Sequence, residues 1–295
     1  MGLRSFDEGR IKSAEVLQLI VLYNLFSKSH SKDLVFQGGT ALRWFHGNDR
    51  FSEDLDFVTP LDRAKLVRFL KIVEKGIKIE LMAQFGPGIF SIRSKDTGRV
   101  SSLTAFVEFT PERSRQKTMV KLEFEHLREG MSPDQEQIIL STAPAVSYFI
   151  RTGAVMLPAG RVVNVETPAE IFSDKIRALL ERGYVKGRDL YDVWFMKKTL
   201  GLTIDIGNVR RKLEMYEHPF GMARRPGYFI ELMERPTGEN AAKVWESVDR
   251  DLSRFIHASA LGHLRKNGFE EIFKAVGETF RELEEKGLDF SHYER

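Results

Sequence analysis

Two short stretches carry residue types whose spacing could do chemistry. One is Phe36-Gln37-Gly38-Gly39-Thr40-Ala41-Leu42, and the other is Arg50-Phe51-Ser52-Glu53-Asp54-Leu55-Asp56-Phe57. Asp54 and Asp56 stand two apart, which in a strand puts both carboxylates on one side, roughly 6.5 Å apart along the backbone. Carboxylates held this way can share a hard cation such as Mg²⁺, which takes oxygen ligands and keeps waters for substrate phosphates. Gly38-Gly39 before Thr40 offers backbone N–H groups at a concave turn and a helix start, and both favour an anion. The Thr40 hydroxyl adds a donor. Alone, each signal fits an ordinary exposed strand or an ordinary strand–turn–helix joint, with glycine at positive φ and threonine as N-cap. Their arrival in one strand–helix–strand unit makes them parts of a site for a phosphorylated ligand and its metal ions.

The elements that must position these residues are legible in the hydrophobic pattern. Residues 11–27 carry Ile11, Val16, Leu17, Ile20, Val21, Leu25 and Phe26 at helical spacing. Residues 34–36 read as a buried strand entering the glycine turn, 40–46 as a short helix with Thr40 at its N-cap, and 55–58 as a second strand. An amphipathic helix follows over 61–75, and Gly86-Pro87-Gly88 and Asp96-Thr97-Gly98 read as turns. Runs 103–109 and 119–124 flank a polar loop, Pro111-Glu112-Arg113-Ser114-Arg115-Gln116-Lys117, and read as an antiparallel pair. One more strand is expected around 161–165. Thr167-Pro168-Ala169-Glu170 is a strong helix start, with an N-cap threonine, proline at the first helical position and glutamate three residues on. That helix is expected to run to Arg182 and stop at Gly183, and a second to span 188–198. Beyond it, segments 206–216, 227–233, 241–256 and 269–285 are all helical in pattern. The chain therefore divides near residue 165 into a mixed α/β part, 1–165, and an all-α part, 166–295.

Composition narrows the class. The 295 residues are 42% hydrophobic and 29% charged, the balance of a globular protein able to bury a core. Most of the 22 phenylalanines are expected inside. A net charge of +3, from 45 basic and 42 acidic residues, is too small to indicate nucleic-acid binding unless the basic residues cluster. With no cysteine, disulfides, thiolate metal sites and cysteine nucleophiles are excluded. The first ten residues are charged and lack an apolar run, and the most apolar segment, 17–26, is interrupted by Gln18 and Asn24 and falls far short of a membrane span. A cytoplasmic location is the expectation.

The ordered motifs resemble the polymerase-β-like nucleotidyltransferases, in which a glycine-containing turn precedes an Asp-x-Asp pair. Here thirteen residues, 41–53, separate Thr40 from Asp54. Gly38-Gly39-Thr40-Ala41-Leu42 with Arg50-x-Ser52-x-Asp54-x-Asp56-Phe57 is similar, more narrowly, to the AbiEii/AbiGii toxins of type IV toxin–antitoxin and abortive-infection systems. The resemblance spans roughly residues 33–198. It implies an α+β fold in which a small mixed sheet flanked by helices is followed by an all-α domain that contributes Lys175 and Asp189 to the cleft. A third carboxylate is implied on a later strand. Val120-Lys121-Leu122-Glu123-Phe124-Glu125 supplies Glu123 as first choice, with Glu108 as rival. The helix Asp174-Lys175-Ile176-Arg177-Ala178-Leu179 supplies Lys175 as a cation for the triphosphate, though a lysine at a core edge fits the same pattern. Arg188-Asp189-Leu190-Tyr191-Asp192 supplies Asp189 to orient Lys175 or Arg188, though acids in a first helical turn also complement the dipole. Threonine replaces the more typical serine at position 40.

By this resemblance the expected reaction is attack of an acceptor hydroxyl on the α-phosphate of a nucleoside triphosphate, with release of pyrophosphate. Mg²⁺, two ions in the fullest form, is expected on Asp54, Asp56 and Glu123, and Gly38, Gly39, Thr40, Ser52 and Lys175 are expected to hold the triphosphate. The implied acceptor is the 3′ end of tRNA, whose blocking stops translation. Basic residues Arg177, Arg182, Lys186, Arg188, Arg210, Arg211, Lys212, Arg224 and Arg225 could track its backbone or be solvated helix faces. Transfer of AMP or UMP to a protein hydroxyl, and a non-catalytic nucleotide- or RNA-binding module, are the competing readings. A cognate antitoxin protein is the implied partner.

Overall fold

A computed structural model describes residues 7–95, 102–114 and 116–290. The turn expected at Asp96-Thr97-Gly98 and Arg115 of the expected loop lie outside the described residues. The chain forms two compact units. Of the described residues, one comprises those within 8–47 and 51–167; the other comprises Asp7, Asn48–Arg50 and 168–290.

In the first unit, seven strands among the described residues make one mixed sheet. They are β1 (Val35–Gln37), β2 (Asp54–Thr59), β3 (Gly88–Lys95), β4 (Ser102–Pro111), β5 (Thr118–His126), β6 (Gln135–Ile139) and β7 (Val162–Glu166), in the order β3-β4-β5-β2-β1-β7-β6. Strand β1 runs antiparallel to β2 and parallel to β7, and β2 runs parallel to β5. The expected β4–β5 pair is antiparallel. Edge strands β3 and β6 have no counterpart in the sequence reading.

Alternation within the strands sorts side chains by face. Leu55 and Phe57 of β2, Leu103, Ala105, Val107 and Phe109 of β4, and Val120, Leu122 and Phe124 of β5 are buried. Helices α1 (Glu8–Leu25) and α3 (Arg63–Phe85) pack against this sheet, α1 on β5 and α3 on β3 and β4. Phe57 stacks on Phe124 at 5.1 Å and meets Phe36 at 5.2 Å, so a wall of phenyl rings lies behind the residues that alternate with them. Burial of each such ring contributes about 2–3 kcal/mol. Helices α2 (Gly38–Phe45) and α4 (Pro144–Arg151) meet through Trp44 and Phe149, edge to face at 5.4 Å.

The second unit is helical. It contains α5 (Pro168–Glu181), α6 (Gly187–Trp194), a π-turn (Phe195–Thr199), α7 (Ile206–Glu214), α8 (Pro226–Glu234), α9 (Glu239–Leu252), α10 (Ala258–Lys266) and α11 (Glu270–Glu285). Its core joins α8 to α11 through Phe229 and Phe280, stacked at 4.5 Å, while α5 and α6 pack on each other and on α7, α9 and α11. Among the described residues no helix is long and apolar enough to cross a membrane.

Candidate active site

Asp54 and Asp56 sit on β2 with their side chains on one sheet face, half-buried, while Leu55 and Phe57 between and beyond them point into the core. Glu123 of β5 is the register partner of Asp56, and Lys121 is the partner of Asp54. All four therefore share one face on neighbouring strands about 4.8 Å apart. Lys121 Nζ lies 2.7 Å from Glu123 Oε2. Burial alone would lower the Lys121 pKa, but the Glu123 carboxylate, with the charges of Asp54 and Asp56 behind it, raises it above the ordinary lysine value.

The glycine turn lies directly under this cluster. Gly38 has φ +80°, and a Cβ built there would stand 2.6 Å from Asp56 Oδ2. Gln37, across from Asp56 in register, ends β1 and occupies the N-cap of α2, so Gly38 and Gly39 form the first turn of that helix. Thr40 is accordingly not the N-cap. It lies inside the first turn, fully buried, and its hydroxyl donates to the backbone carbonyl of Asp54. The donor expected for a phosphate instead ties α2 to the start of β2. Ser52 precedes β2, and its backbone carbonyl accepts a 2.7 Å hydrogen bond from Gln18 Nε2 of α1.

Glu108, the rival third carboxylate, is on the same face but further out. Its register partner is Met119, two residues before Lys121. A hydrogen bond from Lys117, reinforced by Arg93, holds its carboxyl below the ordinary range. Glu123 is thus the acid beside the aspartates.

In the helical unit, Lys175 of α5 reaches two acids of α6: Asp189 Oδ1 at 2.9 Å and Asp192 Oδ2 at 2.8 Å. Of the two expected partners Lys175 is thus in contact with Asp189, which also accepts from Arg182, while the Arg188 guanidinium lies over the Phe255 ring. Asp192 is the fuller hub. Arg50 grips it with Nε at 2.9 Å and a terminal nitrogen at 2.8 Å, and Asn48 Nδ2 donates at 3.0 Å. The backbone N–H of Arg50 in turn donates to Asn48 Oδ1, and the Tyr191 hydroxyl donates to Asp49 at 2.7 Å. Burial opposes ionisation of Asp192, but Arg50 and Lys175 overcome it and hold the carboxyl down at about 2. Burial lowers the pKa of Lys175, against the pull of Asp192.

Asn48, Arg50 and Asp192 escaped the sequence reading as functional candidates. The available signal was the adjacency of Asn48-Asp49-Arg50 to the aspartate pair, together with the second acid of Arg188-Asp189-Leu190-Tyr191-Asp192.

Much of the basic set expected to track a nucleic-acid backbone is engaged internally. Arg177 packs over Tyr216 at 3.9 Å and pairs with Glu181 at 3.3 Å. Arg211 and the fully buried Lys212 both pair with Glu170. These cations bind α5 to α7 and do not form a solvent-facing stripe.

The donor set of Asp54 and Asp56 suits a hard divalent cation, since both are carboxylates on one face with substrate phosphates and water left to complete the shell. Glu123, the expected third ligand, is in register with Asp56 and paired with Lys121, and among the described residues no three acidic or histidine side chains gather as a metal-holding group.

Residues 20–282 match the family model described as nucleotidyl transferase AbiEii toxin, type IV TA system. Two solved structures from Helicobacter pylori are similar in fold. JHP933 is similar with a TM-score of 0.57 at 17% identity, over 96% of this chain and 96% of that one. The other, a candidate nucleotidyltransferase, gives 0.53 at 18% identity, over 96% of this chain and 100% of that one. No curated protein matches the chain.

Proposed function

The chain belongs to the AbiEii nucleotidyl transferase toxin family of type IV toxin–antitoxin systems, and from this premise we propose that it moves a nucleoside monophosphate from a nucleoside triphosphate to the 3′ hydroxyl of tRNA, blocking translation. The observation that carries the reading is the Gly38 turn seated against Asp56, with Asp54 on the same face. Backbone this close to a metal-type carboxylate suits a triphosphate, whose oxygens need amide donors and a cation at the same point.

Asp54 and Asp56 are proposed to hold Mg²⁺, which supplies neutralisation of the triphosphate and a lowered pKa for the attacking hydroxyl. The acceptor oxygen forms a bond to the α-phosphorus as the bond from that phosphorus to the bridging β-phosphate oxygen breaks, and pyrophosphate leaves. Glu123 receives the hydroxyl proton, with Lys121 holding its carboxylate in place. The first-turn amides at Gly38 and Gly39 position phosphate oxygens, and Thr40 acts through Asp54 by fixing its carbonyl. Lys175, oriented by Asp189 and Asp192, is proposed as a further cation for the substrate phosphates. Its support is the ordered recurrence of the family motifs along the chain. A cognate antitoxin as partner and the cytoplasm as site of action follow from the same family reading.

The test is incubation with each α-labelled triphosphate, Mg²⁺, total tRNA and lysate proteins. Label on tRNA that disappears in Asp56→Asn supports the proposal. Label on protein alone overturns the acceptor, and no label anywhere overturns the transferase.

A further inference from the structure

The sheet face that carries Asp54, Asp56 and Glu123 continues outward over β5, β4 and β3, and its composition changes along the way. In register with Asp54 come Lys121, then Phe106, then Arg93. In register with Asp56 and Glu123 come Thr104 and Lys95. The next row holds Met119, Glu108 and Ser91. The opposite face of these strands is core, yet this one leaves Met119 46% and Ile89 76% exposed, with the side chains of Arg93 and Lys117 exposed by 62% and 51%. On β3, β4 and the residue just before β5, Arg93, Lys95 and Lys117 meet a single acid among the described residues, Glu108.

Lysine on an edge strand commonly serves to prevent edge pairing, and a lone exposed apolar residue is ordinary. Neither reason covers Phe106. It stands on β4, inside the sheet, half-buried, with Lys121 on one side and Arg93 on the other. A row that runs cation, aromatic, cation and ends on Asp54 has the make-up of a single-strand binding platform. Bases stack on the aromatic and apolar side chains while cations take the phosphates. Strand β4 is two strands from β2, about 10 Å, and β3 about 14 Å. Those distances suit the nucleotides that precede an accepting terminal hydroxyl.

We propose that this face seats the single-stranded 3′ segment of an RNA acceptor, with Phe106 and Met119 beneath its bases and Arg93, Lys95 and Lys117 on its phosphates. The proposal rests on the RNA-acceptor reading above and assigns the surface that serves it.

Two measurements on the full chain test it. Fluorescence anisotropy of a labelled single-stranded RNA 12-mer is followed against salt, and KM is determined separately for tRNA and for triphosphate. The triple variant Arg93→Ala/Lys95→Ala/Lys117→Ala is expected to reduce the slope of log affinity against log salt by about 2. It is also expected to raise the tRNA KM at least about tenfold while leaving the triphosphate KM unchanged. Phe106→Ala is expected to weaken the 12-mer about tenfold, and Phe106→Tyr to retain it. An unchanged salt slope and tRNA KM in the triple variant, with transfer intact, would overturn the platform and leave the transferase standing. Label passing only to protein would overturn both. The anisotropy arm needs no turnover, so a wild type without transfer activity still decides the platform.

Discussion

Gly38 lies against Asp56 with no room for a side chain: a methyl group added to Gly38 would stand 2.6 Å from Asp56 Oδ2, and φ at Gly38 is +80°. Strand β1 ends opposite Asp56, and the chain must turn into α2 without colliding with that carboxylate. Only glycine meets both requirements.

Gly38→Ala is therefore expected to cost about 1–2 kcal/mol of stability through backbone strain. Its larger effect is on turnover, since the methyl displaces the Asp56 carboxylate. A displacement of about 1 Å lowers the rate on the order of 100-fold. Transfer assays beside denaturant melts check this. A variant that is destabilised but fully active would remove Asp56 from the reaction.

Thr40 is expected to behave as a positioning residue. Thr40→Val removes the hydrogen bond to the Asp54 carbonyl at a cost of about 1 kcal/mol, and kcat falls while the triphosphate KM holds. Thr40→Ser restores both. If the hydroxyl instead held a phosphate directly, the triphosphate KM would rise in Thr40→Val with little loss of kcat.

The parts legible in the sequence were those with a local period. Strands β2, β4 and β5 alternate buried and open side chains, and the expected face of Asp54, Asp56 and Glu123 follows from that alternation. The edge strands were hidden because burial does not pattern them: β6 reads Gln-Glu-Gln-Ile-Ile and is largely exposed. Helix α3 runs ten residues past its expected end at residue 75, to Phe85. Gly76 looks like a stop but marks close packing, since a Cβ there would meet Asn24 Oδ1 of α1 at 2.4 Å. The Arg50–Asp192 pair spans 142 residues and leaves no periodic trace.

Lys121 supplies a positive charge beside Glu123, Asp54 and Asp56. Lys121→Met is expected to tighten Mg²⁺ binding to the nucleotide-free protein roughly tenfold, by removing a like charge worth about 1–2 kcal/mol at this range and exposure. Titration with Mn²⁺ followed by electron paramagnetic resonance reads this directly. Weaker binding in the variant would mean that Lys121 organises the carboxylates and does not compete for them.

Asp192 is expected to set the acid limit of the helical unit. Its carboxyl is held at about 2 in the folded chain, against about 3.9 when unfolded. Between those values the unfolded state binds more protons, so the stabilisation is complete above about pH 4 and is lost as pH falls toward 2. The loss amounts to roughly 2 kcal/mol. Asp192→Asn leaves Arg50 and Lys175 buried without their shared anion, which costs about 3–5 kcal/mol at neutral pH, and it removes that share of the acid slope. Urea unfolding of wild type and variant from pH 5 to pH 2 checks both effects. Parallel pH profiles would show that the acid sensitivity arises elsewhere, whereas a flattened variant profile places it on the carboxylate that Arg50, Asn48 and Lys175 share.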